Sequence, residues 1–163
     1  MEIRKANQQD WQEILAIYQR AREYMRQTGN PNQWKNFSPC PQVLANDIAL
    51  GNLYVVVEGS CVHGVFALIY GSDPSYARID GAWLNDEPYA AIHRVASAGK
   101  KKGILEICLR YCRSQYTNLR IDTHHDNHIM QHLLDKYGFI RCGTIFLANG
   151  DPRIAYQHIG KDS

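Results

Sequence analysis

The stretch Ile92-His93-Arg94-Val95-Ala96-Ser97-Ala98-Gly99-Lys100-Lys101-Lys102-Gly103-Ile104 decides how this chain is read. It begins as a largely apolar strand candidate, crosses a turn with two glycines and three lysines, and continues into a segment of helical spacing. Such a strand–turn–helix aims the unpaired N–H groups of the first helical turn, and the positive end of the helix dipole, at one spot. Glycine lets the backbone approach a ligand closely and lysine adds charge, so the physics asks for a phosphate or pyrophosphate there. G-K-K-K-G is not the P-loop spacing of the nucleotide hydrolases. A lysine-rich turn that serves no ligand is the plain alternative.

Working outward, LYVVVE (53–58) and VHGVFALIY (62–70) are β-branched or aromatic runs separated only by Gly59, Ser60 and Cys61, which predicts a hairpin. Upstream, Ile3–Ala6 is a short strand candidate, and Asn7 with Asp10 has the form of a capping box. Trp11, Ile14, Leu15, Tyr18, Ala21 and Met25 then recur at helical spacing up to a stop at Gly29. GNPNQWKNFSPCP (29–41) reads as a loop, and Pro41 opens a second helix toward Leu50. Further strands are predicted near Arg78–Trp83 and over Tyr89–Ser97. Downstream come a helix over Lys101–Gln115, a strand over Leu119–Asp122, a helix over Asn127–Tyr137, and a closing hairpin turning at Asn149-Gly150. This order predicts an α/β (α+β) chain with one mixed, mostly antiparallel sheet and helices on both faces, a single domain spanning residues 1–163.

The 163 residues suit one core, and no apolar run approaches the ~20 residues of a membrane helix. The start MEIRKANQQD has no apolar signal-peptide core, so a cytoplasmic protein is expected. Five cysteines without a C-x-x-C pair fit a reducing compartment better than a disulfide framework. Net charge is only +2, yet residues 93–120 hold seven basic side chains against Glu106 alone. That local excess suggests an anionic ligand, with a solvated helix face as the alternative. A nucleic-acid contact by the same stretch is opposed by the low net charge and the lack of an aromatic–basic RNA-binding motif.

HRVA followed by the glycine–lysine turn and a helix resembles the acetyl-CoA motif of the GNAT superfamily of N-acetyltransferases. LRIDTHHDNHIMQHLLDKYGFIRCG (119–143) resembles that superfamily's next strand, its Asn-bearing helix and its Gly-Phe strand start, so the likeness covers essentially the whole chain. The resemblance implies a GNAT-like acyl-CoA N-acyltransferase fold and transfer of an acetyl group from acetyl-CoA to an amine, a small molecule or peptide, by direct attack. It implies that Val95, Ala96 and Ser97 offer backbone groups to pantetheine. Lys100, Lys101, Lys102, Gly103, Ile104 and Leu105 would surround the pyrophosphate, and Asn127 would reach the pantetheine arm. Lys100 stands where the family has Gln or Arg, and Leu105 where it has a small residue. A simple helix N-cap is the alternative role for Asn127.

A general base is needed to free the amine. His93 falls where related enzymes carry a strand glutamate, and Glu87 in the preceding loop is the second candidate; a histidine bonded within the sheet is the plain alternative. The family's thiolate-protonating tyrosine is replaced by Leu134. Tyr24, Trp34, Phe37 and Trp83 are the expected aromatic wall of the acceptor pocket, or else only cap the core. The set His124, His125, Asp126, His128 and His132 invites a metal reading, but no glutamate lies between His128 and His132, and no metal is expected. Membranes are not expected partners; a homodimer is compatible with the family. A non-catalytic CoA or acyl-CoA sensor of the same fold is the competing function, motivated by Lys100, Leu105 and Leu134.

Overall fold

Capping and periodicity at the N-terminus act as the sequence predicts. In the computed structural model, which describes residues 1–35 and 37–160, Asn7 and Asp10 form a reciprocal capping box. The box starts a single 3₁₀ turn, Gln8–Asp10, that runs straight into helix α1 (Trp11–Gln27). Asn36, within the expected loop, and the last three residues of the expected domain lie outside the described residues. Asp10 also accepts two bonds from Arg4, at 2.8 and 2.9 Å, which ties strand β1 (Glu2–Lys5) to the start of α1.

The remaining elements are α2 (Pro41–Ala49), β2 (Leu53–Glu58), β3 (Cys61–Tyr70), β4 (Asp80–Gly81), β5 (Ala90–Ser97), α3 (Ile104–Gln115), β6 (Asn118–Thr123), α4 (His128–Lys136), β7 (Ile140–Phe146) and β8 (Pro152–Ile159). The strands form one eight-stranded sheet in the order β1-β2-β3-β5-β6-β8-β7-β4, antiparallel except where β5 meets β6. Val55, Val56 and Val57 are all buried because both faces of the sheet are covered, and this explains the continuous apolar run in β2. Val56, Phe66 and Leu68 pack with Ile104, Cys108, Leu109 and Leu134 of α3 and α4 on one face. Val55, Val57, Val65 and Ala67 meet Ile14, Ile17, Tyr18 and Leu44 of α1 and α2 on the other. Among the described residues no helix is long and apolar enough to cross a membrane.

Two expectations are corrected. The strand predicted near Arg78–Trp83 shrinks to Asp80–Gly81, residue types that strands disfavour. Trp83 is instead drawn inward, donating to the Tyr76 carbonyl at 3.0 Å, and the Leu84 N–H goes to the Gln157 side chain at 2.8 Å. Helix α3 begins at Ile104 rather than Lys101, because Gly103 is left-handed (φ 79°) and cannot continue a helix backward.

The start of α3 is seated by Gly64, where a Cβ would lie 2.5 Å from Ile104 Cγ2. Gly64→Ala is expected to cost about 1–3 kcal/mol in urea unfolding, with part of the loss recovered in the Gly64→Ala/Ile104→Ala double variant. The bond from Arg4, reinforced by the Asn7 N–H and opposed by burial, holds the Asp10 carboxyl below its ordinary 3.8. Its stabilisation is therefore complete above 3.8 and is lost as pH falls through the lower folded value. Arg4→Met should accordingly lower stability most at neutral pH, with the difference from wild type narrowing on stepwise acidification.

Candidate active site

Strands β5 and β6 pair through only three residue pairs, Ala90–Leu119, Ala91–Arg120 and Ile92–Ile121. Beyond Ile92, β5 continues with β3 and β6 continues with β8, so the two central strands part. The divergence begins at a bulge. His93 pairs with Ala67 and Ala96 with Val65, leaving Arg94 and Val95 opposite Phe66 alone. Arg94 adopts φ 56°, a conformation costing about 1–3 kcal/mol for a residue with a side chain. Two partners hold it there. The buried Tyr18 hydroxyl donates to the Arg94 carbonyl at 2.7 Å, and the guanidinium donates to Asp47 Oδ2 at 2.9 and 2.8 Å. Burial raises the Asp47 carboxyl and the Arg94 charge opposes that rise.

The parting opens a cavity of about 670 Å³ between β5, β6, the α1–α2 loop and the β7–β8 hairpin. His93 lines it, with Nε2 at 2.7 Å from Asp73 Oδ2 and Nδ1 at 4.0 Å from Asp122 Oδ1. Asp122 in turn accepts from the Tyr76 hydroxyl at 2.6 Å. Burial pushes the Asp73 carboxyl up, but the His93 bond and the Ser75 N–H outweigh it and leave the group below its ordinary value. Burial, with Asp122 adding, pushes the Tyr76 hydroxyl well above its own.

Toward α3, Val95 lines the cavity and β5 ends at Ala96 and Ser97. Arg20 donates to the Ser97 carbonyl at 3.2 Å, and the left-handed backbone of Gly99 (φ 78°) favours glycine at that position. Around Gly103 the space is open. Lys101 pairs with Glu58 and Lys100 reaches Cys61 Sγ at 3.6 Å, so both lean onto the β2–β3 hairpin, while Lys102 is exposed. Leu105 is half-buried against the core, which directs its bulk away from the loop.

Asn127 caps α4, its Oδ1 accepting from the Met130 N–H at 3.0 Å, while its Nδ2 donates to Gln33 Oε1 at 2.9 Å. Gln33 Oε1 also accepts from Asn30, and the Gln33 carbonyl accepts from Arg153 at 3.0 Å. His124, His125 and Asp126 place ligand-type atoms within 4.8 Å of one another; His128 and His132 are exposed on α4 outside that group. His124 Nδ1 already accepts the Asp126 N–H at 3.0 Å.

No protein-family model matches the sequence, and no curated protein does. Solved structures do. A GNAT-family acetyltransferase from Streptococcus agalactiae superposes with a TM-score of 0.86 at 29% identity, covering 99% of this chain and 96% of that one. The chain has the fold of the GNAT superfamily. A putative acetyltransferase from Staphylococcus aureus follows at TM-score 0.73 and 23% identity, with 98% and 99% covered. A GNAT-like decarboxylase in complex with isobutyryl-CoA shares the fold, with a TM-score of 0.65 at 12% identity over 98% of this chain and 99% of that one.

Of the residues expected from the GNAT resemblance, the structure gathers His93, Val95, Asn127 and Trp34 around one cavity. Glu87 is exposed at the opposite end of β5, where its carbonyl accepts from Asn118, and it does not line the cavity. Trp83 packs over the Arg120 guanidinium at 4.1 Å. Tyr24 is exposed beneath Arg20, and Phe37 lines a smaller neighbouring cavity with Trp34. Leu134 is fully buried, and Tyr137 is committed to Glu106 at 2.6 Å. The sequence reading misses Asp47, Asp73, Asp122, Arg153 and Gln33. Asp73 had one local signal, an Asp-Pro that caps a short turn, but nothing local tied it to His93.

Asp47→Ala removes the charge facing Arg94 and should destabilise the protein by about 2–3 kcal/mol, below the range for a fully buried pair because Arg94 is partly exposed. Tyr18→Phe should cost about 1 kcal/mol. Both are measured by denaturant unfolding.

Proposed function

We propose that the protein is an acyltransferase that moves an acetyl group from acetyl-CoA to an amine by direct attack. The observation that carries this reading is the parted β5–β6 pair, which opens the His93 cavity beside β5, the strand that leads on through Ser97 to the glycine loop and α3. The residues suit the co-substrate. Gly103 leaves its surroundings open, the first turn of the 12-residue α3 presents N–H groups there, and Lys100 and Lys102 add positive charge, Lys101 being paired with Glu58. Acetyl-CoA supplies an activated thioester.

His93 is the base in this reading. Asp73, held ionised, accepts from Nε2 and fixes the tautomer in which Nδ1 is free to take a proton. The amine nitrogen loses its proton to Nδ1 and bonds to the acetyl carbon. The carbon–sulfur bond breaks as the CoA thiolate departs, and water returns a proton to it. The β5 backbone beside Val95 is the nearest source of an N–H to polarise the carbonyl. Positioning in a cavity shielded by the α1–α2 loop supplies the rest. A covalent route through α3 is disfavoured, because burial pushes the Cys108 thiol up to about 12 and Cys112 well above its ordinary value.

The sensor reading keeps one favouring observation: with Leu134 buried and Tyr137 bonded to Glu106, the family's tyrosine acid has no counterpart at either position. Calorimetric titration with acetyl-CoA, followed by an amine-acetylation screen, separates the two. The expected results are micromolar binding that Gly103→Asp abolishes, and turnover that His93→Gln lowers by about 100-fold or more. Binding without turnover of any amine would support the sensor, and no binding would overturn both.

A further inference from the structure

Three cations line the cavity, and two are neutralised in place. Arg94 is paired with Asp47, and Lys35 with Asp151 at 3.0 Å. Arg153 is different. It is 5% exposed, and its guanidinium donates only to neutral carbonyls, Pro152 O at 2.9 Å and Gln33 O at 3.0 Å. Among the described residues no carboxylate lies within 4.0 Å of it. A guanidinium has five N–H donors, so donors remain, and burying an uncompensated charge is expensive. Burial lowers its pKa, with Asp122 and Asp151 opposing from a distance.

The opposite charge sits on the same face. Asp122 of β6 pairs with Ala155 of β8, which makes Arg153 its diagonal neighbour on that face, roughly 7 Å away between backbones. Asp122 accepts from Tyr76 and approaches His93, but among the described residues no arginine or lysine lies within 4.0 Å of it. An acid and a base so placed, both facing one cavity and more than 4.0 Å apart, match a ligand with charges of both signs. The planar guanidinium favours a carboxylate, which it can hold bidentately.

We infer that Arg153 docks a carboxylate of the acceptor, so that the substrate class is a zwitterionic amino carboxylate with its amine at Asp122 and His93. This deepens the acetyl-transfer reading and rests on it for the fate of the amine. Arg153 is thus a specificity-determining residue. It selects among amines by what they carry beside the nitrogen.

The test pairs each proteinogenic α-amino acid with its own α-carboxamide. Binding to the CoA-saturated protein is measured by calorimetry, and acetyl transfer from acetyl-CoA is measured separately. For at least one pair the acid is expected to exceed its amide by about tenfold or more in both readouts, as a charge-assisted contact requires. In Arg153→Gln that ratio should collapse toward one, and Arg153→Lys should restore part of it. Equal use of acid and amide by the wild type overturns the inference, as does an Arg153→Gln variant that weakens both members equally. Failure of every acid to bind also overturns it. Acid-selective, Arg153-dependent binding without acetyl transfer would uphold the docking role and refute the transferase reading instead.

Discussion

The central cavity of this molecule depends on β5 leaving β6 after three pairs. Strands that run side by side normally continue to bond, because an unpaired N–H or C=O away from water is costly. Here the departure is enforced by one residue in an unfavourable backbone conformation, Arg94, held from two directions. Tyr18 of α1 secures its carbonyl and Asp47 of α2 secures its side chain. The N-terminal helix pair is therefore more than cover for the sheet. It supplies the restraint that keeps the centre of the sheet open, and the cavity exists because that restraint exceeds the cost of the bulge.

The chemistry placed in the opening follows from strand alternation. His93 faces the cavity on the same side as Ala91, and Asp122 and Arg153 come to that side from β6 and β8. Asp73 comes from the loop after β3, fixed by its own short capped turn. Four segments far apart in sequence thus deliver one imidazole, two carboxylates and a guanidinium to one space. Charges of both signs line it, together with Trp34 of the expected aromatic wall.

The sequence was most legible where local rules act. The capping box at Asn7, the hairpin at Gly59-Ser60, the glycine–lysine turn and the Asn149-Gly150 turn are all readable within a few residues. Fold class followed from those elements in order. It was least legible where partners are distant: Asp73 is 20 residues from His93, and Gln33 is 120 from Arg153. Trp83 misled because an aromatic next to a presumed strand reads equally as pocket wall or as core. Its real partner, the buried Arg120, appears only once β6 is laid beside the loop that carries Asn85. Asn127 was legible as either cap or ligand contact, and the structure commits its oxygen to the cap.

Gln33 gives the molecule a property beyond its contacts. One side chain oxygen serves the loop through Asn30 and the α4 cap through Asn127, while the same residue's carbonyl steadies Arg153. The loop that walls the cavity and the start of α4 are thereby tied through one residue. A shift of the α1–α2 loop at Gln33 therefore acts at once on the Asn127 cap of α4 and on the Arg153 guanidinium.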